Sequence, residues 1–118
     1  MGAVSISTYN VQLMAIANYG DAKQLKNLYR NYHNLDELSE NGDTVAASIY
    51  IDLKTALHCN YLTELQRVCI MKHLIEKSTL REVSEDINKS SSTIRGAING
   101  GLKRIMKSLE EGKLYEGY

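Results

Sequence analysis

Thr63-x-x-Gln66 and Thr79-x-x-Glu82 stand sixteen residues apart in this chain, and each is a helix start that can be read without tertiary context. In such a capping box the threonine hydroxyl accepts the backbone N–H three residues on. The Gln or Glu at that position reaches back to the threonine N–H. A helix therefore begins near Thr63 and runs to about Glu76, and a shorter one begins near Thr79 and runs through Ile87. Asn88 follows as the turn, asparagine being the commonest non-glycine visitor to positive φ. Ser90 or Ser91 then caps a third helix. Residues 62–109 read as three consecutive capped helices.

The first and third helices have an apolar side at helical spacing. The first carries Leu65, Cys69, Leu74 and Ile75, and the third carries Ile94, Ala97, Ile98, Leu102 and Ile105. On a helical wheel the outward residues of the third are Ser91, Ser92, Arg95, Asn99 and Lys103. A short helix, a turn and a longer helix with polar outward residues form the grammar of a helix-turn-helix, whose second helix enters the major groove of DNA. The residue types suit that task. Arg95 can donate two hydrogen bonds to guanine or pair with phosphate, and Asn99 matches adenine bidentately. Ser91 and Ser92 offer hydroxyls and N–H groups at a helix N-terminus. Lys103, Arg104 and Lys107 lie further along as backbone anchors. Gly96, Ala97, Gly100 and Gly101 permit close approach, and the Gly100-Gly101 pair is an expected kink because each glycine costs about 1 kcal/mol in a helix interior.

Charge is where composition enters. The 118 residues carry 14 basic and 14 acidic side chains, a balance that argues against nucleic acid. The distribution argues the other way: residues 87–109 hold five basic residues (Lys89, Arg95, Lys103, Arg104, Lys107) and no acid. DNA responds to the local field on one face and not to the whole-chain balance. The two cysteines, Cys59 and Cys69, with no signal peptide and no apolar run of membrane-spanning length, imply a reducing cytoplasmic setting and no membrane association.

The remaining chain is read more coarsely. The length fits one domain with a small helical appendage. The first residues, including the alternating VSISTY, read as weakly anchored. A short helix carries Val11, Leu13, Met14 and Ala17. Asp21 with Gln24 caps another, with Leu25, Leu28, Tyr29 and Tyr32 as its stripe. Residues 33–43 (HNLDELSENGD) are polar, with a turn signal at Asn41-Gly42, and are expected to be a linker. Asp43 or Thr44 then caps a helix with Ala46, Ile49, Tyr50, Leu53, Ala56 and Leu57 on one face. The expected class is all-α: a C-terminal helix-turn-helix half preceded by two or three helices. The expected division is an N-terminal segment 1–42 offering a dimer or partner face, a domain 43–112 and a tail 113–118. Leu28, Tyr29 and Tyr32 read equally as core or as that partner face.

LTELQR, followed by TLREVSEDINKSSSTIRGAINGGLKRI, resembles the fourth conserved region of bacterial sigma factors. That region opens with an L-T-x-x-Q-R signature and ends in a recognition helix and a basic segment. Leu62, Thr63, Glu64, Gln66 and Arg67 fall on the opening signature. Glu82, Val83, Ser84 and Glu85 fall on the E-I-A-E of the next helix, and Ser90, Thr93 and Ile94 on the start of the recognition helix. The match runs without a gap from Leu62 to about Leu109. Small phage-encoded regulators with a similar module carry a preceding helix like DTVAASIYIDLKTAL, which widens the resemblance to 43–109. It implies base or backbone contacts by Ser91, Ser92, Arg95 and Asn99, and a backbone contact by Arg67 or Lys77. It departs from the pattern at Asn88 and Lys89, where the turn glycine and an apolar residue are usual, and at Gly96 and Gly100, where larger side chains are usual. No counterpart of the promoter-melting region is seen, and the chain has neither tryptophan nor phenylalanine, so a complete sigma factor is not expected.

Other chemistries are weaker. His58, Cys59, Cys69 and His73 lack the paired spacing of zinc sites. Ser90, Ser91 and Ser92 have no partner base, and the glycines at 96, 100, 101 and 112 form no phosphate loop. The expectation is a DNA-binding transcription regulator, not an enzyme, without cofactor. Its partners would be double-stranded DNA, RNA polymerase or another regulator, and a second copy of itself. The alternative is an interaction module that keeps the fold but binds and inhibits polymerase without reading DNA.

Overall fold

The computed structural model describes residues 22–110. The helix expected near 11–17, the Asp21 cap and the 113–118 tail lie outside the described residues. Within them the class is all-α, as expected: six α-helices and no strand. They are α1 (Ala22–Arg30), α2 (Tyr32–Glu40), α3 (Thr44–Leu57), α4 (Glu64–Ile70), α5 (Leu80–Ile87) and α6 (Ser91–Glu110), with a π-helical turn, Met71–Ile75, continuing α4.

The expected linker is corrected, because most of it is α2. Its composition is polar, but Leu35 and Leu38 are buried and the acids and His33 largely line the open side. Two leucines three apart make a stripe only one side chain wide, enough to seat a helix against α3. α1 and α2 are separated by Asn31 alone, whose side-chain amide donates to the Asn27 carbonyl at 2.7 Å. The turn signal holds at its expected place: Gly42 has φ +94°, a conformation open to glycine at no steric cost. Asp43 then caps α3, its carboxylate accepting from the Ala46 N–H at 3.0 Å.

Of the face read from its spacing, α3 buries Ala46, Ile49, Leu53, Ala56 and Leu57, and Tyr50 is half-buried. Tyr29 of α1 is fully buried, and its hydroxyl donates to the Leu53 carbonyl at 3.0 Å. Leu28 is equally buried. Tyr32 is half-buried, its ring 4.8 Å from that of Tyr50. Burial first, and then the Tyr50 hydroxyl, push the Tyr32 phenol well above its ordinary value. Of the described N-terminal tyrosines, Tyr29 is thus inside and Tyr32 packs half-buried against the core.

α4 begins at the expected Thr63–Gln66 box, both of its hydrogen bonds being formed. Its π-turn answers a difficulty in the sequence. Cys69 and Leu74 are five apart, as are Ile70 and Ile75, and all four are buried. An α-helix would turn such pairs about 140° away from each other. The i→i+5 pattern, seen in the Glu76 N–H bonding to the Met71 carbonyl at 2.9 Å, brings them onto one side. Lys77 then ends the element at φ +62°.

Leu25, Leu28 and Tyr29 of α1, Leu35 and Leu38 of α2, the α3 face, and Val83, Ile94, Ile98, Leu102 and Ile105 belong to one continuous core. Each fully buried leucine contributes roughly 1.5–3 kcal/mol. α6 is the hub, packing against α1, α3, α4 and α5.

Candidate nucleic-acid interface

The α5–turn–α6 unit forms as its caps dictate. Thr79 and Glu82 exchange both hydrogen bonds at the start of α5. Hydrogen bonding to the Thr79 N–H, and then to its hydroxyl, holds the Glu82 carboxyl below its ordinary value. Asn88 ends α5 in the left-handed conformation at φ +61°. The Lys89 N–H bonds back to the Ser84 carbonyl, and the Ser84 hydroxyl donates to the Lys89 carbonyl. Ser90 is the cap of α6, its hydroxyl accepting the Thr93 N–H at 3.2 Å. Ser91 and Ser92 are therefore the first residues of the helix.

α6 stays helical through Gly100-Gly101. The glycines serve the crossing with α4. A Cβ on Gly101 would lie 2.8 Å from Ile70 Cδ1 and 3.1 Å from Gln66 Cβ, and one on Gly100 3.2 Å from Gln66 Nε2. Gly96 differs, because nothing lies within 4 Å of where its Cβ would be.

Ser91, Ser92, Arg95, Asn99, Lys103, Arg104 and Lys107 are all exposed on α6. Arg104 is tethered through one donor to the Tyr61 carbonyl at 3.0 Å. Lys77 is exposed at the end of the π-turn, apart from α6 in sequence. Arg67 is engaged within the fold. Its Nε donates to the Leu57 carbonyl at 2.6 Å, its guanidinium also reaches the Cys59 carbonyl and Glu64, and the side chain is 19% exposed. It closes the C-terminal end of α3 instead of facing out. The last carbonyls of a helix lack partners within it, and the half-buried arginine fork satisfies that of Leu57 together with that of Cys59 just beyond the helix.

α5 carries three acids, which would oppose a phosphate backbone if left alone. Glu82 is held in the capping box, Glu85 pairs with Arg81 at 3.2 Å and Asp86 with Lys72 at 3.3 Å. Beside α6 on another side lies a cleft of about 130 Å³ lined by Lys26 and Arg30 of α1, His73 and Leu74 of the π-turn, Leu80, and Arg95, Ile98 and Asn99 of α6. The His73 ring bonds to the Ser78 carbonyl at 2.7 Å, which places its proton on Nδ1 because a carbonyl can only accept.

Set beside protein families, curated proteins and solved structures, the chain matches none of them. The cleft residues Lys26 and Arg30 were not singled out by sequence reasoning. Their signal was available: α1 holds Lys23, Lys26 and Arg30 and no acid, with Lys26 and Arg30 one turn apart. Among the described residues no three His, Cys, Asp or Glu side chains are grouped to hold a metal ion. Cys59 and Cys69 are buried free thiols, and burial pushes the Cys69 thiol up. No described helix is long and apolar enough to cross a membrane.

Proposed function

We propose that this protein is a transcription regulator that binds double-stranded DNA through α6, in the manner of the sigma region 4 that its sequence resembles, and of phage or prophage type. The observation that carries the reading is the outward row Ser92, Arg95, Asn99 and Lys103, exposed on the second helix of a capped helix–turn–helix. Arg95 and Asn99 read base edges, Ser91 and Ser92 sit where N–H groups and the helix dipole meet phosphate, and Lys103, Arg104 and Lys107 follow the backbone. Two copies bound to paired half-sites would supply the specificity that one such unit lacks, and contact with RNA polymerase extends the same analogy.

Mobility shift or fluorescence anisotropy over a salt series tests this. With about five phosphate contacts, the log–log slope of affinity against salt is expected at roughly −4 to −5. Arg95→Ala is expected to cost about 1–3 kcal/mol and to relax base preference. Absence of binding to any duplex at low salt would sink the proposal.

One observation favours a second reading. Gly96 has open space where a side chain would fit, so packing does not demand the glycine. A bare site on the outward helix also suits an interaction module that binds and inhibits polymerase without reading DNA. Co-purification with polymerase by a protein that retards no duplex is the result that would favour it.

A further inference from the structure

We infer that α1 is a second DNA-contacting element, with Lys26 and Arg30 gripping the phosphate backbone beside the base pairs that α6 reads. The inference rests on the DNA-binding reading and adds to it a helix that lies outside the sigma-like stretch.

The argument begins with placement. Lys26 and Arg30 line the same cleft as Arg95 and Asn99, so the basic side of α1 stands directly beside the outward row of α6. None of Lys26, Arg30 and Arg95 forms an ion pair with a described residue, and no acid lines the cleft. Three cationic side chains facing one cleft repel one another, an arrangement relieved by an anion between them. α1 and α6 pack against each other, and packed helices stand about 8–10 Å apart. The major groove is about 12 Å wide. With α6 in the groove, a helix displaced by that spacing stands over the groove wall, where the phosphates run. Lysine and arginine on long stems reach phosphate there and not base edges, so the contact strengthens binding without selecting sequence. Charge elsewhere agrees: α2, turned toward α3, holds Asp36, Glu37 and Glu40 and no lysine or arginine.

The test uses the full chain and a fluorescently labelled mixed-sequence duplex, titrated by anisotropy across a potassium chloride series. Wild type, Lys26→Gln/Arg30→Gln, Arg95→Ala and the control Lys54→Gln on α3 are compared. The double variant is expected to bind every duplex more weakly by a similar factor, with a salt slope shallower by about 1.8, or 0.9 per lost contact. Lys54→Gln is expected to keep the wild-type slope. Arg30 is exposed, so Arg30→Gln alone, with a slope shallower by about 0.9, serves if the double variant melts early. A double variant with the wild-type slope, while wild type itself binds, overturns the role of α1 and leaves α6 binding intact. A wild type that binds no duplex overturns both.

Discussion

Two glycines on the same helix have opposite reasons to be glycine. At Gly101 the neighbouring helix occupies the space of a Cβ, and at Gly96 nothing does. Gly96→Ala is therefore expected to stabilise the fold by about 0.5–1 kcal/mol through helix propensity alone. Gly101→Ala pushes on Ile70 in a closed core, a strain of about 1–3 kcal/mol against a propensity gain near 1, so its melting temperature should fall. Thermal melts of the two variants check this, and equal shifts would contradict the crossing described. If DNA approaches α6 closely at Gly96, Gly96→Ala should also bind less tightly while melting later. Arg67 is read in the same way. Arg67→Met is expected to cost about 1–3 kcal/mol of stability by orphaning the Leu57 and Cys59 carbonyls. The salt slope of DNA binding should not move, and a shallower slope would return Arg67 to the interface.

Among the elements, starts were legible and associations were not. Both capping boxes, the Asn88 turn, the start of α3 at Asp43 or Thr44 and most of the inward faces of α3 and α6 followed from residue types and spacing, because each is set within a few residues. α2 was missed because two leucines in a polar segment give almost no periodic signal until α3 supplies the surface they cover. The π-turn was hidden because a five-residue spacing between buried pairs looks like imperfect helical periodicity. The flank that α1 offers α6 depends on packing across some seventy positions of chain, which no local pattern reports. The α5 cap makes a pH-dependent prediction. Glu82 titrates lower in the folded chain than its ordinary value of 4.5, so its contribution is present above that value and is lost as pH falls through the lower, folded-state one. Melting curves of wild type and Glu82→Gln should differ near neutral pH and converge as pH falls through the lowered, folded-state value. Curves that stay parallel would remove the cap's charge from the stability of α5. Thr79→Ala, which takes away the other half of the box, should cost about 1 kcal/mol.

In the molecule as a whole, the helices before α3 and the helix-turn-helix draw on one core, so they are expected to unfold as one unit. Tyr29→Phe removes the hydroxyl that ties α1 to the Leu53 carbonyl and should cost about 0.5–1.5 kcal/mol. Hydrogen exchange at the slowest amides of α6 should quicken by the matching factor. Protection in α6 that is indifferent to this change would mean that α1 is a separable attachment. The π-turn bears on how such a chain can change its length. Removing one residue from an ordinary helix turns everything beyond it by about 100° and pulls the buried side out of register. Removing one residue between Met71 and His73 instead leaves Cys69 and Leu74, and Ile70 and Ile75, four positions apart, the natural interval of an α-helix. That segment therefore stores a spare residue: one deletion can be absorbed there by rewinding, and the helices that follow keep the faces they present.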